Sequence, residues 1–443
     1  MQFSSIPFLF YFLPVFFLIC WLCPQRYRHI VLAGASLAYY YFACEQNCFQ
    51  LLLLVAVTLL SYGAGIILSN KKSGGLLELF LSVLGGILTF FKLYAGGQYL
   101  PPGMSFYLFQ IAAYLIALYN SRVEAETDLL NYTAQIVMFP KLLSGPLMEP
   151  RDLQSQSRTA NLCRSGIHEG CQLLILGLGL KVLLANRLGG FWSSAEIFGY
   201  AYISVPMAWL ALMSFAMQLY FDFYGYSLMA RGLGKMLGYI IPRNFDTPYA
   251  AKTVSEFYRR WHMTLGAWFR ENLYIPLGGN RKGNLRTILN LAVVWLFTGL
   301  WHGIGGNYLL WAGVLLVLIV NERLWLGKYL NRSRVLCHIY VVFVILLSWL
   351  PFAVGDWTDM ITLGSKLLGL TGTVINPRDF IIFGRGYELL WTAGLILATP
   401  LPQKIWQKIS HTVWADILLS VLFWIVVYFL ATSAQDPFLY FQY

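Results

Sequence analysis

Residues 49–69 read FQLLLLVAVTLLSYGAGIILS, a run of 21 residues without a charged side chain. About 20 residues of helix cross the roughly 30 Å hydrocarbon core of a bilayer. This segment therefore predicts a transmembrane helix, and similar apolar runs recur along the chain. The sequence predicts about eleven spans, at 6–23, 30–44, 49–69, 76–91, 167–190, 203–230, 287–302, 304–320, 335–355, 380–400 and 411–432.

The composition agrees with a membrane protein. Of the 443 residues, 58% are hydrophobic and only 12% are charged, whereas soluble domains carry about 25% charged residues. This excludes a soluble enzyme, a disordered protein and a disulfide-rich secreted module. We expect an all-α, polytopic membrane protein that forms one integral membrane domain over residues 1–443. Two further apolar stretches, 104–119 and 129–148, contain Pro, Gly and polar residues and predict tilted or re-entrant helices.

The net charge of +11 resides mainly in short loops. This distribution is typical of the positive-inside bias of membrane proteins, so we expect no nucleic-acid partner. Arg26 and Arg28 follow the first span, the next loop carries only Glu45, and Lys71 and Lys72 follow the third span. The alternation predicts an amino terminus outside the cell and basic loops in the cytoplasm. Cys20 and Cys23 lie at one end of the second apolar segment, and Cys44 and Cys48 lie at the other. The two pairs should therefore lie on opposite membrane faces, and we expect no metal site.

The most polar part of the chain lies between positions 231 and 286, with ten Lys or Arg against three acidic residues. Thr253 and Glu256 have capping-box spacing, so a helix is predicted to start there. At 100° per residue its apolar side chains, up to Phe269, share one face and its charged side chains share the other. The pattern predicts a basic amphipathic helix in the cytoplasmic interface. His262 lies on the border of the two faces.

His302 is the outstanding histidine of the six. If a helix enters the membrane at Arg286, His302 lies about 24 Å along it. Gly303, Gly305 and Gly306 follow and should break the helix there. An ionisable residue beside irregular backbone at membrane depth indicates a cavity or a functional site. Asp222, an isolated acid in an aromatic run, lines a polar cavity or caps a bend.

The residues leave two classes of function open. One is a membrane-embedded transferase that uses an anionic cytoplasmic donor, and the other is a transporter with a histidine relay. Transporters usually contain internal repeats, and the sequence has none that we detect. A nucleotide-phosphate loop, a G-x-S-x-G elbow and an H-E-x-x-H zinc motif are also absent from the sequence.

Several motifs together resemble the membrane-bound O-acyltransferase family. They are RRWHMTLGAWFRENLYIPLGGNR at 259–281 and TGLWHG at 298–303, with FSSIPFLFYFLP at 3–14, PPGMSFYLFQ at 101–110, FPKLLSGPL at 139–147, YFDFYGYSLMARGLGKMLG at 220–238 and PFLYFQY at 437–443. Their order and spacing are similar to the bacterial branch that O-acetylates alginate and peptidoglycan. The motif core covers about 220–320.

The resemblance implies a ring of tilted helices around a thinned centre, with a tunnel that joins the two membrane faces. His302 matches the family's invariant histidine, so the resemblance implies that it is a catalytic base, with His262 as the second catalytic residue. Asp222 and Trp301 would line the tunnel. The resemblance also implies a thioester donor, acetyl-CoA or another acyl-CoA or acyl carrier protein, whose phosphates basic side chains would hold. The predicted donor-binding residues are Arg259, Arg260, Arg270, Arg281 and Lys282.

The implied reaction is transfer of an acyl group, usually acetyl, from the cytoplasmic donor to a hydroxyl of a cell-envelope or exported glycan. The expected location is the inner or plasma membrane of a bacterium, with no bound cofactor. The expected partner is an extracytoplasmic SGNH-type acetyltransferase or the glycan itself. A teichoic acid D-alanyl transfer protein is the alternative within the family. The carboxy-terminal tail either anchors at the interface or relays the acyl group through Tyr440, with Tyr443 second.

Overall fold

The computed structural model describes residues 1–97, 99–330, 333–370 and 374–432. Within these ranges all regular secondary structure is helical, which confirms the all-α fold class. The described chain forms two compact units: residues 1–178, 225–243 and 421–432 in the first, and residues 179–224 and 244–420 in the second. The single domain predicted over 1–443 stays a prediction.

The first part of the chain contains nine helices in the described ranges. They are α1 Leu13–Leu22, α2 Arg28–Ala43, α3 Cys48–Asn70, α4 Gly74–Leu93, α5 Met104–Tyr119, α6 Leu129–Val137, α7 Phe139–Leu142, α8 Pro150–Thr159 and α9 Arg164–Gly179. A π-helical turn, Phe8–Phe12, leads into α1.

The second part continues with thirteen helices in the described ranges. They are α10 Asn186–Phe198, α11 Val205–Met236, α12 Val254–Arg260, α13 Met263–Phe269, α14 Gly283–His302, α15 Gly306–Asn321, α16 Gly327–Leu330, α17 Arg334–Ala353, α18 Trp357–Leu367, α19 Asp379–Gly384, α20 Glu388–Leu397, α21 Leu401–Ile409 and α22 Val413–Thr432. Short π-helical stretches at Leu180–Ala185, Arg270–Tyr274 and Glu322–Leu326 join some of them.

Seven helical segments of the described chain are long and apolar enough to cross a membrane: Cys48–Asn70, Gly74–Leu93, Arg164–Phe198, Gly283–His302, Gly306–Leu330, Arg334–Ala353 and Val413–Thr432. The apolar window of Gly74–Leu93 is only 6% buried by protein. So much exposed apolar surface needs lipid to cover it. The chain is therefore a multi-pass membrane protein.

Two predicted spans are shorter than the sequence suggested. Helix Met104–Tyr119 coincides with a stretch predicted as tilted or re-entrant, whereas the predicted spans 6–23 and 380–400 contain the shorter apolar helices Phe8–Leu22 and Glu388–Leu397. The last is short because Arg385 and Gly386 interrupt the run, and Gly386 has a φ of 90°, which ends regular helix. Apolar composition predicted these segments, but it did not show where the backbone turns inside them.

The stretch predicted as re-entrant at 129–148 is an interrupted helix in the first unit. Helix α6 ends at Val137, α7 covers one turn, and the residues after Leu142 are irregular and buried. The Gln110 side chain satisfies this backbone, because its amide donates to the Met148 carbonyl (2.9 Å) and its oxygen accepts from the Met148 N–H (3.3 Å). Protein thus covers the non-helical backbone, as a membrane requires.

In the second unit, α14 and α15 form the hairpin that carries His302. A Cβ at Gly299 would approach the Ala312 side chain to 3.0 Å, and a Cβ at Gly303 would approach the Tyr308 ring to 2.3 Å. The absence of side chains at these two positions lets the helices pack closely. Helix α17 packs against α15, and α12 contacts both α15 and α17.

Candidate active site

The interfacial segment starts as the sequence predicts. The Thr253 hydroxyl accepts a hydrogen bond from the Glu256 N–H (2.9 Å), and the Glu256 carboxylate accepts one from the Lys252 N–H (2.9 Å). The first bond satisfies an N–H group that the first turn of a helix leaves without a partner, and the second ties the residue before the N-cap back to that turn. Val254 and Phe257 are fully buried, so the predicted apolar face is the packed face. The predicted helix start with Thr253 as its N-cap is confirmed, although the Glu256 carboxylate bonds the N–H of Lys252 rather than that of Thr253.

The segment is not one continuous helix, which corrects the sequence prediction. Helix α12 ends at Arg260 and α13 begins at Met263, because His262 adopts a left-handed conformation with a φ of 47°. Asn244 stabilises this break. Its backbone carbonyl accepts from the Met263 N–H (2.9 Å), and its side-chain oxygen accepts from the Thr264 N–H (3.2 Å) and the Thr264 hydroxyl (2.9 Å).

The same asparagine oxygen orients the His262 ring. It lies 3.1 Å from His262 Nδ1. Because an amide oxygen only accepts hydrogen bonds, Nδ1 carries the proton and Nε2 keeps its lone pair. Burial lowers the pKa of His262 to about 3. The imidazole is therefore neutral at physiological pH, with its tautomer set by Asn244.

A second buried group fixes the start of α12. The Glu322 carboxylate, at the end of α15, accepts hydrogen bonds from the N–H groups of Val254 (2.6 Å) and Ser255 (3.1 Å) and from the Ser255 hydroxyl (3.2 Å). A carboxylate at a helix N-terminus is favoured by the exposed N–H groups and by the helix dipole. Glu322 thus ties the His262 segment to the hairpin that carries His302.

His302 is the last residue of α14, directly before the glycine break that the sequence predicts. Only 8% of its surface is exposed. Its ring centroid lies 4.4 Å from that of Trp301, 5.0 Å from that of Trp311 and 5.2 Å from that of Phe352. Aromatic rings therefore surround this imidazole on several sides and keep its surroundings apolar.

Both histidines line one cavity of about 250 Å³, which we call the histidine cavity. Its other polar or charged wall residues are Tyr258, Thr298, Arg270 and Tyr274. The remaining wall is Leu219, Trp261, Leu265, Gly266, Phe269, Leu291, Val294, Trp295, Trp311, Trp349 and Phe352. No carboxylate lines it among the described residues. A neutral imidazole in such a space can accept a proton from a bound hydroxyl, and the apolar wall can hold an acyl group.

The predicted donor-binding residues do not form one cluster around the cavity. Of the five, only Arg270 belongs to the cavity wall. Arg260 pairs with the Glu256 carboxylate at 2.7 Å, so part of its charge is already used within α12. The side chains of Arg259, Arg281 and Lys282 are exposed, which leaves them accessible to a phosphate or to lipid.

Two expected tunnel residues lie outside the cavity wall. Asp222 is buried and pairs with the Lys181 ammonium at 2.7 Å, and Lys181 also donates to Asn186 (2.8 Å). The carboxylate of Asp222 therefore serves as the buried counter-ion of Lys181. Trp301 is not one of the wall residues, but its ring centroid lies 6.2 Å from that of His262 and 4.4 Å from that of His302. The possible relay residues Tyr440 and Tyr443 lie outside the described residues.

Sequence reasoning missed Asn244, Glu322 and Lys181. Asn244 is one asparagine in a loop before α12, and no spacing rule links it to a histidine 18 residues later. Glu322 acts on a helix start 68 residues earlier in the chain. Of the three, only Lys181 could have been found from the sequence. A lysine inside an apolar run requires an acidic partner, which would have pointed to a buried ion pair.

Comparisons with known proteins identify the family of the chain. The profile of the MBOAT, membrane-bound O-acyltransferase, family matches residues 38–347. The probable alginate O-acetylase AlgI of Pseudomonas putida is 31% identical over the whole of both chains. The peptidoglycan O-acetyltransferase of Helicobacter pylori is 31% identical over 55% of this chain and 47% of its own. The teichoic acid D-alanyltransferase of Streptococcus thermophilus is 27% identical over 52% of this chain and 59% of its own. The chain therefore belongs to the membrane-bound O-acyltransferase family and is an acyl-transferring enzyme of the membrane.

Proposed function

We propose that this protein transfers an acetyl group from a cytoplasmic thioester, acetyl-CoA, to a hydroxyl group for O-acetylation of an exported or cell-envelope polysaccharide. The observation that carries the proposal is the pair of histidines in one apolar cavity. The relatives named for alginate and peptidoglycan O-acetylation support the class of acceptor. The membrane would be the inner or plasma membrane of a bacterium.

In the proposed reaction, His302 is the general base. Its neutral imidazole takes the proton of the acceptor hydroxyl while the hydroxyl oxygen attacks the thioester carbonyl carbon. The C–S bond then breaks, and the imidazolium returns the proton to the departing thiolate. A positioned base of this kind contributes roughly 10²–10⁴-fold to a rate. His262, held by Asn244, lines the same cavity and positions the reactants beside His302.

The composition of the cavity wall favours acetyl over D-alanyl. A D-alanyl thioester carries an ammonium group, which needs a counter-ion or water when it leaves solvent. The described wall contains no carboxylate and does contain the cationic Arg270. An acetyl group has no charge to satisfy. Because teichoic acid D-alanyltransferases are also among the relatives, D-alanyl transfer is the alternative that the experiment must test.

The experiment compares two donors with the purified full-length protein. We expect release of free CoA from acetyl-CoA without any carrier protein, and no turnover of a D-alanyl thioester on its carrier. Turnover of the D-alanyl carrier alone would replace the proposed donor. A transporter would do neither and would instead move a glycan or lipid into vesicles. Mass spectrometry of envelope glycans from a deletion strain would then identify the acceptor.

We also propose that the carboxy-terminal tail relays the acyl group to an extracytoplasmic partner, an SGNH-type acetyltransferase or the glycan itself. The phenol of Tyr440 would accept the acyl group, with Tyr443 second. Tyr440→Phe keeps the aromatic ring and removes only the hydroxyl. Loss of glycan acetylation at normal protein levels would support the relay. Unchanged acetylation in Tyr440→Phe and in the double Phe variant would leave the tail as an interfacial anchor.

A further inference from the structure

A second concave region lies wholly within the first unit. It is an open cleft of about 740 Å³, and its wall carries the cations Lys72, Arg122, Arg151 and Arg158 together with the carboxylate of Glu124. We call it the basic cleft. Four positive groups against one negative group leave an excess of three positive charges at its wall. Neither the histidines nor the predicted donor-binding residues belong to it.

The cations come from three separate parts of the chain. Lys72 follows α3, Arg122 follows α5, and Arg151 and Arg158 lie on α8. Helix α8 packs against α5 and α6, and the Gln154 side chain donates to the Glu124 carbonyl at 2.8 Å. The fold therefore brings these like charges together, although they repel each other in the absence of an anion.

Two of the four cations are already engaged by protein groups. Lys72 donates to the Ser121 hydroxyl at 2.8 Å, and Arg158 lies 3.8 Å from the Glu124 carboxylate. Within the described ranges, the guanidinium groups of Arg122 and Arg151 make no hydrogen bond or ion pair. Paired guanidinium groups bind phosphate oxygens with directed, charge-assisted hydrogen bonds. The cleft thus offers two such groups to an anion.

We propose that the basic cleft binds the phosphate of an anionic phospholipid. Leu68 of α3 and Leu118 of α5 also line the cleft, where both are almost fully buried. The adjacent Ile67 is 49% exposed and Leu60, further along α3, is 68% exposed. The acyl chains of a lipid held by its phosphate can therefore lie against the exposed apolar surface of a membrane-spanning helix next to the cleft. A soluble phosphate compound has no acyl chain to place against this apolar surface.

The position along the chain fits the same ligand. Lys72 lies in the loop that the charge pattern assigns to the cytoplasm, where anionic lipid attracts basic groups. Ordinary basic loops also attract such lipids, but diffusely. A site differs from a diffuse surface because its affinity depends on particular cations and not on the total charge. This difference can be measured with two variants of equal net charge.

The test uses the purified full-length protein in detergent and follows its thermal unfolding during titration with phosphatidylglycerol or phosphatidylcholine. The cleft variant combines Arg122→Gln and Arg151→Gln. The control variant combines Lys71→Gln and Arg164→Gln, which removes the same charge from exposed positions of the same unit that do not line the cleft. Coenzyme A and inorganic diphosphate are added in separate competition experiments.

We expect phosphatidylglycerol to stabilise the wild-type protein and phosphatidylcholine not to. At roughly fivefold per cation, the cleft variant should need about 25-fold more phosphatidylglycerol, while the control stays near wild type. Equal losses in both double variants would overturn the site, as would equal effects of the two lipids. Stabilisation by coenzyme A or diphosphate that is lost in the cleft variant but kept in the control variant, without stabilisation by phosphatidylglycerol, would overturn the lipid source and assign the cleft to a soluble phosphate. If the double variant does not fold, the surface variant Arg151→Gln alone should show about a fivefold loss.

Discussion

The histidine cavity and the basic cleft differ in the charge of the residues that line them. The cavity, of about 250 Å³, has an aromatic wall and two imidazoles, and Arg270 is its one charged group among the described wall residues. The cleft, of about 740 Å³, opens more widely and carries four cations. Proton transfer by a neutral base needs apolar surroundings that keep the imidazole uncharged, whereas phosphate recognition needs fixed positive charge. We therefore expect catalysis and anion binding to respond to different substitutions.

His302→Ala should have the largest effect, because it removes the proposed base from the cavity. We expect acyl transfer to fall by at least about 100-fold, with expression and detergent monodispersity unchanged. The measurement is the rate of CoA release in the presence of an acceptor. His411→Ala is the matched control, since His411 is exposed and lies outside the cavity. Wild-type turnover in His302→Ala would remove His302 from the mechanism.

Asn244→Ala and His262→Ala should have a smaller, shared effect. Both remove the contact between the Asn244 oxygen and His262 Nδ1, and Asn244→Ala also removes the bonds to Thr264. We expect each to lower the rate by about tenfold or to weaken donor binding, and the double variant to lose little more than either single variant.

Asn244→Asp separates positioning from simple damage to the fold. A carboxylate can keep the acceptor role, but its charge favours the protonated imidazole. The variant should retain more activity at alkaline pH than at acidic pH, unlike Asn244→Ala. Additive losses in the Asn244 and His262 variants would contradict a shared role. Loss of all activity in His262→Ala with unchanged donor affinity would exchange the roles of the two histidines.

The sequence singled out His302 and His262 as candidate catalytic residues. It did not predict which groups hold them in place. Both belong to local motifs, and a glycine break or an amphipathic border is visible within a few residues. Asn244 and Glu322 act through the tertiary fold, across 18 and 68 residues, and no local period contains that information. The continuous helix predicted to Phe269 was wrong for the same reason. Asn244 supplies bonds that stabilise the left-handed His262, and local propensity could not foresee them.

Removing Arg281 and Lys282 should affect donor binding more than chemistry. Both side chains are exposed and lie outside the histidine cavity. We expect the double Gln variant to raise the KM for acetyl-CoA by several-fold with kcat nearly unchanged, because long-range attraction to the donor phosphates weakens. High salt should raise the wild-type KM in the same way. A KM independent of salt would instead assign these two cations to lipid headgroups.

The smallest expected effect concerns stability and pH. Burial lowers the pKa of His262 from 6.5 to about 3, so below pH 6.5 the unfolded chain binds a proton that the folded chain does not. Its contribution therefore destabilises the fold progressively as the pH falls from about 6.5 toward about 3 and is absent above that window. His262→Asn should flatten the fall of the unfolding midpoint between neutral and mildly acidic pH. His411→Asn, at an exposed position, should leave the slope as it is. The same slope in His262→Asn and wild type would mean that the pKa of His262 is not lowered in the folded protein. The histidine cavity would then tolerate a charged imidazole, which would contradict the contrast with the basic cleft.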